Sequence, residues 1–267
     1  MKNILLMIDV ANKKDNVLQY ALKLAQSLKS NMILSCIIDD RTANYAQAFS
    51  ELEKIKEDLK GHWVATDFKP VITSLVERGV FAETMFNLVK DLHIELILMG
   101  AADGKNTTGF LFGKKVREIV DKINCPILII PEQVVFEGLK NILYVTDLRY
   151  TDFKIVMELA KLSEPLHVKL SMLHVCAEGL PDLTEDVIES LFTETISSRV
   201  KQRIRIFNAG KHGHAETIIN RLMTSEDQGM LAIAHRKHHF FAHLFSDKPA
   251  EGAEVYKRVP ILLMPVA

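Results

Sequence analysis

The chain has 267 residues, and its 33 Lys and Arg are set against 34 Asp and Glu, for a net charge of −1. That balance leaves no global field to draw it to nucleic acid or to an anionic membrane surface. Hydrophobic residues make up 48% and charged residues 25%, as in an ordinary soluble globular protein, and no apolar run reaches the ~20 residues needed to span a bilayer.

The first apolar stretch, Ile4 to Ile8, stops at Asp9 and is too short for a signal-peptide core. It reads instead as a strand, Asn3 to Ile8. Further strands are expected at Met32 to Ile38, Val71 to Val76, Leu96 to Met99 and Ile127 to Ile130. Such short, continuously apolar runs suit strands buried on both faces of a parallel sheet. Between them Val17, Tyr20, Ala21, Leu24, Ala25 and Leu28 keep the three-or-four spacing of a helix with one apolar face. Helices are also expected at Asn44 to Leu59, Ala82 to Leu92 and Lys114 to Ile123. Cys36, Cys125 and Cys176 lie far apart in apolar surroundings, which reads as buried thiols in a reducing compartment. A cytoplasmic location is expected.

The remainder repeats this plan. Lys2-Asn3-Ile4-Leu5 returns as Lys140-Asn141-Ile142-Leu143, and Asp9 as Asp147. Ala82-Glu83-Thr84 returns as Ala215-Glu216-Thr217, and Pro126 to Pro131 as Pro260 to Pro265. The landmarks keep their order and near-constant spacing, which chance matches would not do. Strands are expected at Asn141 to Val145, Lys169 to Val175, Arg203 to Phe207, Met230 to Ala234 and Ile261 to Met264. The expected fold is therefore α/β: two doubly wound, five-stranded parallel-sheet domains at 1–131 and 140–267, joined by the linker 132–139.

In such sheets ligands bind beyond the carboxyl ends of the strands, where strand order reverses, so the loops after the first and fourth strands are where a site is sought. After the fourth strand stand Gly100, Gly104, Gly109 and Gly113. Glycines there permit positive φ and close backbone approach, and a helix starting near Gly113 would turn N–H groups toward a phosphate.

These residues resemble the universal stress protein family, and the resemblance extends over nearly the whole chain as a tandem pair of domains. The family's nucleotide-binding members carry Gly-x2-Gly-x9-Gly-Ser/Thr after the fourth strand, an Asp ending the first strand and an aliphatic residue ending the second. Here the pattern reads Gly100-x2-Asp103-x9-Gly113-Lys114, with Asp9 and Ile37 at the other two positions. The resemblance implies the adenine nucleotide alpha hydrolase-like fold and binding of ATP or AMP in the first half only, at Asp9, Ile37, Gly100, Asp103, Gly104, Gly113 and Lys114. Asp103 replaces the second glycine and brings a carboxylate toward the phosphates, with Gly104 next to it to take the turn. Lys114 replaces the hydroxyl. The first motif is thus partly degenerate. In the second half the matching positions are Ala234, Lys237, Asp247 and Lys248, without glycine, so nucleotide binding is expected to be lost there although Asp147 and Val175 persist.

His235, His239 and His243 would share one face of a helix, a spacing at which imidazoles bind zinc. No Cys or carboxylate beside them completes a ligand set, and Phe240, Phe241, Arg236 and Lys237 interrupt the run. Loop 235–245 is better read as a basic surface for an anion or a protein partner. No Ser-His or Cys-His arrangement, Gly-x-Ser-x-Gly elbow or Walker loop is present, so no catalytic residue is assigned, and slow ATP hydrolysis at the first-half site is the most that is expected. The resemblance also implies pairing of the last strand of each half within the chain, with homodimer formation left open. Two functions stay in view: a nucleotide-binding stress-response protein, or a stress scaffold that binds proteins and no nucleotide.

Overall fold

The computed structural model describes residues 2–38, 44–63, 68–101, 114–146, 152–175, 184–192, 194, 200, 203–209, 215–225, 229–234 and 255–265. The described residues divide into two compact units, the first running to Phe136 and the second from Glu137. The division falls inside the segment 132–139.

In the first unit the strands are β1 (Asn3–Met7), β2 (Asn31–Ile38), β3 (Ile72–Arg78), β4 (Leu96–Gly100) and β5 (Ile127–Ile130). Their order across the sheet is β3-β2-β1-β4-β5, with each strand parallel to its neighbours in this unit. The chain lays β2 and β3 on one side of β1 and then returns to place β4 on the other. The order therefore reverses between β1 and β4, and a crevice opens beyond their carboxyl ends. Apolar residues fill the central strands because helices cover the sheet: Ile4, Leu5, Leu6, Ile97, Leu98 and Leu128 are fully buried.

Helix α1 (Asp15–Ser27) buries Val17, Leu18, Tyr20, Ala21, Leu22, Leu24 and Ala25, and Asp15 in its first turn suits the positive end of the helix dipole. Helix α2 (Tyr45–Gly61) begins where the Asn44 side chain accepts hydrogen bonds from the N–H groups of Ala46 (3.0 Å) and Gln47 (3.3 Å). Its outer face carries Lys54–Glu51, Lys56–Glu53 and Lys60–Glu57 ion pairs. Helix α3 (Phe81–Asp91) buries Ala82, Met85 and Leu88. Helix α4 (Lys114–Ile119) is shorter than the 114–123 read from apolar spacing. The following residues turn, with Ile123 N–H still bonded to Ile119 O at 3.0 Å, before Pro126 disfavours a helical residue ahead of it.

Beyond β5 the chain is strapped to α1. Asn16 donates to the carbonyls of Pro131 (3.0 Å) and Val134 (3.3 Å), and Lys23 donates to the Phe136 carbonyl (3.1 Å). The Tyr20 and Phe136 rings meet edge to face at 4.9 Å.

The second unit contains β6 (Asn141–Thr146), β7 (Lys169–His174), β8 (Arg205–Asn208), β9 (Gly229–Ala234) and β10 (Ile261–Met264). Their order is β8-β7-β6-β9-β10, again with parallel neighbours. β8 starts later than the 203–207 read from sequence. Described helices are α5 (Asp152–Leu166), α6 (Glu185–Phe192) and α7 (Ala215–Ser225). Helices α1 and α5 end alike: Lys29 (φ 51°) and His167 (φ 54°) take left-handed conformations, and the next N–H reaches back to Ala25 O and Ser163 O.

Candidate functional site

The carboxyl ends of β1 and β4 and the start of α1 enclose a cavity of about 280 Å³ in the first unit. It lies at the strand-order reversal. Asp9, Gly100 and Lys114 all line it. Three of the seven residues singled out from sequence are thus brought together, although they are far apart along the chain. Ile37, half-buried and in register with Glu77 of β3, is not among the lining residues. Asp103, Gly104 and Gly113 lie outside the described residues, as do Asp147 and the 235–245 loop of the second half.

Asp9 stands exposed just past β1, and its Oδ1 accepts the Ala11 N–H at 3.1 Å, capping the 3-10 turn Val10–Asn12. This bond fixes the carboxylate at the mouth of the crevice while leaving its other oxygen for a further donor. Gly100 has no unusual φ; its value is steric. A Cβ there would meet Val17 Cγ2 at 3.3 Å and Lys14 Cδ at 3.5 Å, so glycine lets the first turn of α1 close against the end of β4. Lys114 opens α4 with an 85% exposed side chain, 3.7 Å from Glu118.

Three further cations line the same cavity: Lys13, Lys14 and Lys115. The sequence reading passed over them. The signal was present in the Lys13-Lys14 pair, which follows Asp9 in the loop to which the strand-reversal rule already pointed. Lys14 reaches across the crevice and donates to the Ala101 carbonyl at 2.8 Å. Lys13 pairs with Asp15 at 3.3 Å, and the Lys115 ammonium sits over the Phe81 ring at 5.5 Å. Among the described lining residues four lysines face the single carboxylate of Asp9. Such an excess in a concave site favours an anion. Below it Cys36 is buried, and burial pushes its thiol pKa up against smaller downward influences from Lys115 and the Val10 backbone. It is a packing thiol, not a nucleophile.

In the second unit the corresponding strand ends differ. His174 is buried, its Nδ1 3.0 Å from Asn208 Oδ1, and it stands in register with Thr146 and Asn208 at the ends of β6 and β8. Ser171 donates to Asn141 Oδ1 at 3.0 Å. The His174–Asn208 pair lies at the carboxyl ends, whereas the Ser171–Asn141 bond lies toward the amino ends of β6 and β7. Among the described residues no group of three or more His, Cys, Asp or Glu is placed to hold a metal ion, and no helix is long and apolar enough to cross a membrane.

The sequence model of the Universal stress protein family matches residues 1–131. Residues 1–131 form a universal stress protein family domain. Likeness to solved structures extends further along the chain. A universal stress protein from Archaeoglobus fulgidus DSM 4304 superposes with a TM-score of 0.65 at 13% identity, covering 98% of this chain and 98% of that one. A functionally unknown protein from Pseudomonas aeruginosa PAO1 gives 0.63 at 12% identity, over 99% and 92% of the two chains. A putative universal stress protein from Pseudomonas aeruginosa UCBPP-PA14 gives 0.61 at 12% identity, over 99% and 93%. At these identities the likeness concerns the α/β fold with its parallel strands. No curated protein matches the chain.

Proposed function

We propose that this is a tandem universal stress protein of the cytoplasm, active in stress response by binding and not by turnover, whose first unit takes an adenine nucleotide. The observation that carries this reading is the cavity at the β1–β4 reversal, which gathers Asp9, Gly100 and Lys114 around one space. Asp9 would accept from nucleoside hydroxyls, and the lysines with the glycine-rich loop would face the phosphates. About 280 Å³ bounded by described residues falls just below the ~300–1,000 Å³ of ligand pockets.

The second unit is read as a diverged copy of the same domain. Its loop after the fourth strand has no glycine between Ala234 and Lys248, and a side chain at every position bars the close backbone approach that phosphates need. Its role would be structural, or in binding a protein partner through the basic loop 235–245.

The test is mass spectrometry of small molecules released on denaturing the purified chain, together with ATP and AMP titrations of wild type and Asp9→Ala. Near-stoichiometric nucleotide, or saturable binding lost in Asp9→Ala, supports the nucleotide reading. Protein that carries none and ignores both ligands to about millimolar, an interaction weaker than roughly 4 kcal/mol, removes it and leaves the scaffold reading.

A further inference from the structure

We propose that the outer face of α3 is a self-association surface, on which a second copy of this chain packs its own α3 antiparallel, about a twofold axis passing between Phe86 and Asn87.

Helix α3 turns Ala82, Met85 and Leu88 into the core and leaves Glu83, Phe86, Asn87 and Lys90 exposed. Those four positions stand at i, i+3, i+4 and i+7, so they form one stripe along the helix. Phe86, at its centre, is 49% exposed. It borders a groove of about 550 Å³ that Ala82, Glu83, Asn87 and Lys122 also line, Lys122 coming from the turn after α4.

The charges of this stripe are unused within the chain. Among the described residues no ion pair engages Glu83, Lys90 or Lys122. Helix α2 is the contrast: its Lys54, Lys56 and Lys60 each pair with a glutamate three residues back. Glu83 in the first turn of α3 and Lys90 in the last suit the helix dipole. The dipole accounts for their signs, but not for an aromatic ring left in water between them.

A twofold contact requires a surface that is its own complement. The α3 stripe meets this condition. Antiparallel packing about the midpoint of Phe86 and Asn87 sets Glu83 of each copy opposite Lys90 of the other. It also sets each Phe86 opposite Asn87 of the other copy, at the mouth of that copy's groove. The two cross-copy ion pairs then lie seven residues apart along the helix, about 10 Å at ~1.5 Å per residue. Parallel packing would instead set Glu83 against Glu83 and Lys90 against Lys90, so charge fixes the direction as well. A helix of 11 residues makes a small interface. It belongs with transient contacts below ~1,200 Å², so the dimer is weak and depends on concentration. The groove shares no lining residue with the crevice at Asp9 and Gly100, and the proposal stands apart from the nucleotide reading.

The experiment is sedimentation velocity of the full chain from about micromolar to about millimolar concentration, where a reversible monomer–dimer equilibrium is expected. Glu83→Lys and Lys90→Glu each set like charges across the axis and should weaken the dimer about tenfold or more. Combining the two reversals restores opposite charges and should bring the dimer back to within about threefold of wild type. That rescue separates a cross-copy pair from damage to the helix, because both reversals oppose the dipole and the double variant would then be the worst. Circular dichroism melts establish that each variant folds. If a reversal unfolds the chain, Phe86→Ser at its exposed position decides: loss of the dimer upholds the proposal, and an unchanged dimer overturns it. A wild type that stays monomeric throughout, a dimer indifferent to the single reversals, or a double variant as weak as the singles also overturns it.

Discussion

A Cβ placed on Gly100 would lie 3.3 Å from Val17 Cγ2, so the end of β4 and the first turn of α1 are packed against each other as closely as a glycine allows.

Gly100→Ala is therefore expected to destabilise the first unit by about 1–3 kcal/mol, since overpacked sites force neighbours out of place. Combining it with Val17→Ala should recover part of that loss, because the opposing methyl is gone. Urea denaturation of both single variants and the double variant checks this. Strict additivity would mean that the two sites do not press on one another.

Lys29 and His167 end helices α1 and α5 in left-handed conformations (φ 51° and 54°) that favour glycine. Their C-terminal hydrogen bonds are already in place, so the substitution changes mainly the steric cost at Cβ. Lys29→Gly and His167→Gly are each expected to stabilise their unit by about 1 kcal/mol, the cost of a side chain in that region. A fall in the denaturation midpoint in either variant would show that the side chain contributes more than its backbone costs.

Cys125 is buried and donates to Ile94 O at 3.4 Å; burial, chiefly, pushes its thiol up to about 12. An unfolded thiol loses its proton near ~8.5. Above that pH the unfolded state binds fewer protons than the folded one, so stability falls with pH by up to about 1.4 kcal/mol per unit. The contribution is fully present below ~8.5 and is lost as pH rises toward about 12. Cys36 is shifted the same way by burial and adds to the slope. Measured between pH 8.5 and 10, stability should decline less steeply in Cys125→Ala than in wild type, even though the variant is weaker at neutral pH.

Legibility of the chain differed by the type of signal. Fully buried strands announce themselves as unbroken apolar runs, and Ile127–Ile130 and Ile261–Met264 appear in the structure with the ends read from sequence. Strands with mixed faces blur: β8 carries the half-exposed run Arg205–Asn208, and its start moved because no apolar edge marks it. Helix α4 was overread since Val120 and Ile123 are buried as a helix face would be, while the chain there is already turning. At the site, Asp9, Gly100 and Lys114 were found through motif spacing. Lys13, Lys14 and Lys115 were not, because a lysine contributes to a site through where its long side chain is anchored, and Lys14 is anchored by a carbonyl 87 positions away. No local pattern encodes that contact.

Asp103 and Lys114 depart from the family's motif in opposite electrostatic senses, and their consequences should separate in binding. Lys114 is 85% exposed and pairs with Glu118 one helical turn on, an interaction worth only about 0.2–0.5 kcal/mol. Lys114→Ser should leave stability nearly unchanged and shift ATP affinity little, because the ammonium already sits in solvent. Asp103→Gly restores the glycine and removes a negative charge from the loop that faces the phosphates in the proposed complex. A gain of about tenfold or more for ATP follows if that carboxylate lies near them, with no matching gain for adenosine. Titration of the two single variants and the double variant with both ligands measures this. Equal gains for ATP and adenosine would point to backbone freedom at the turn instead of charge. Tight ATP binding that appears only in the double variant, from a wild type with none, would favour the scaffold function and mean that the native motif has decayed past use.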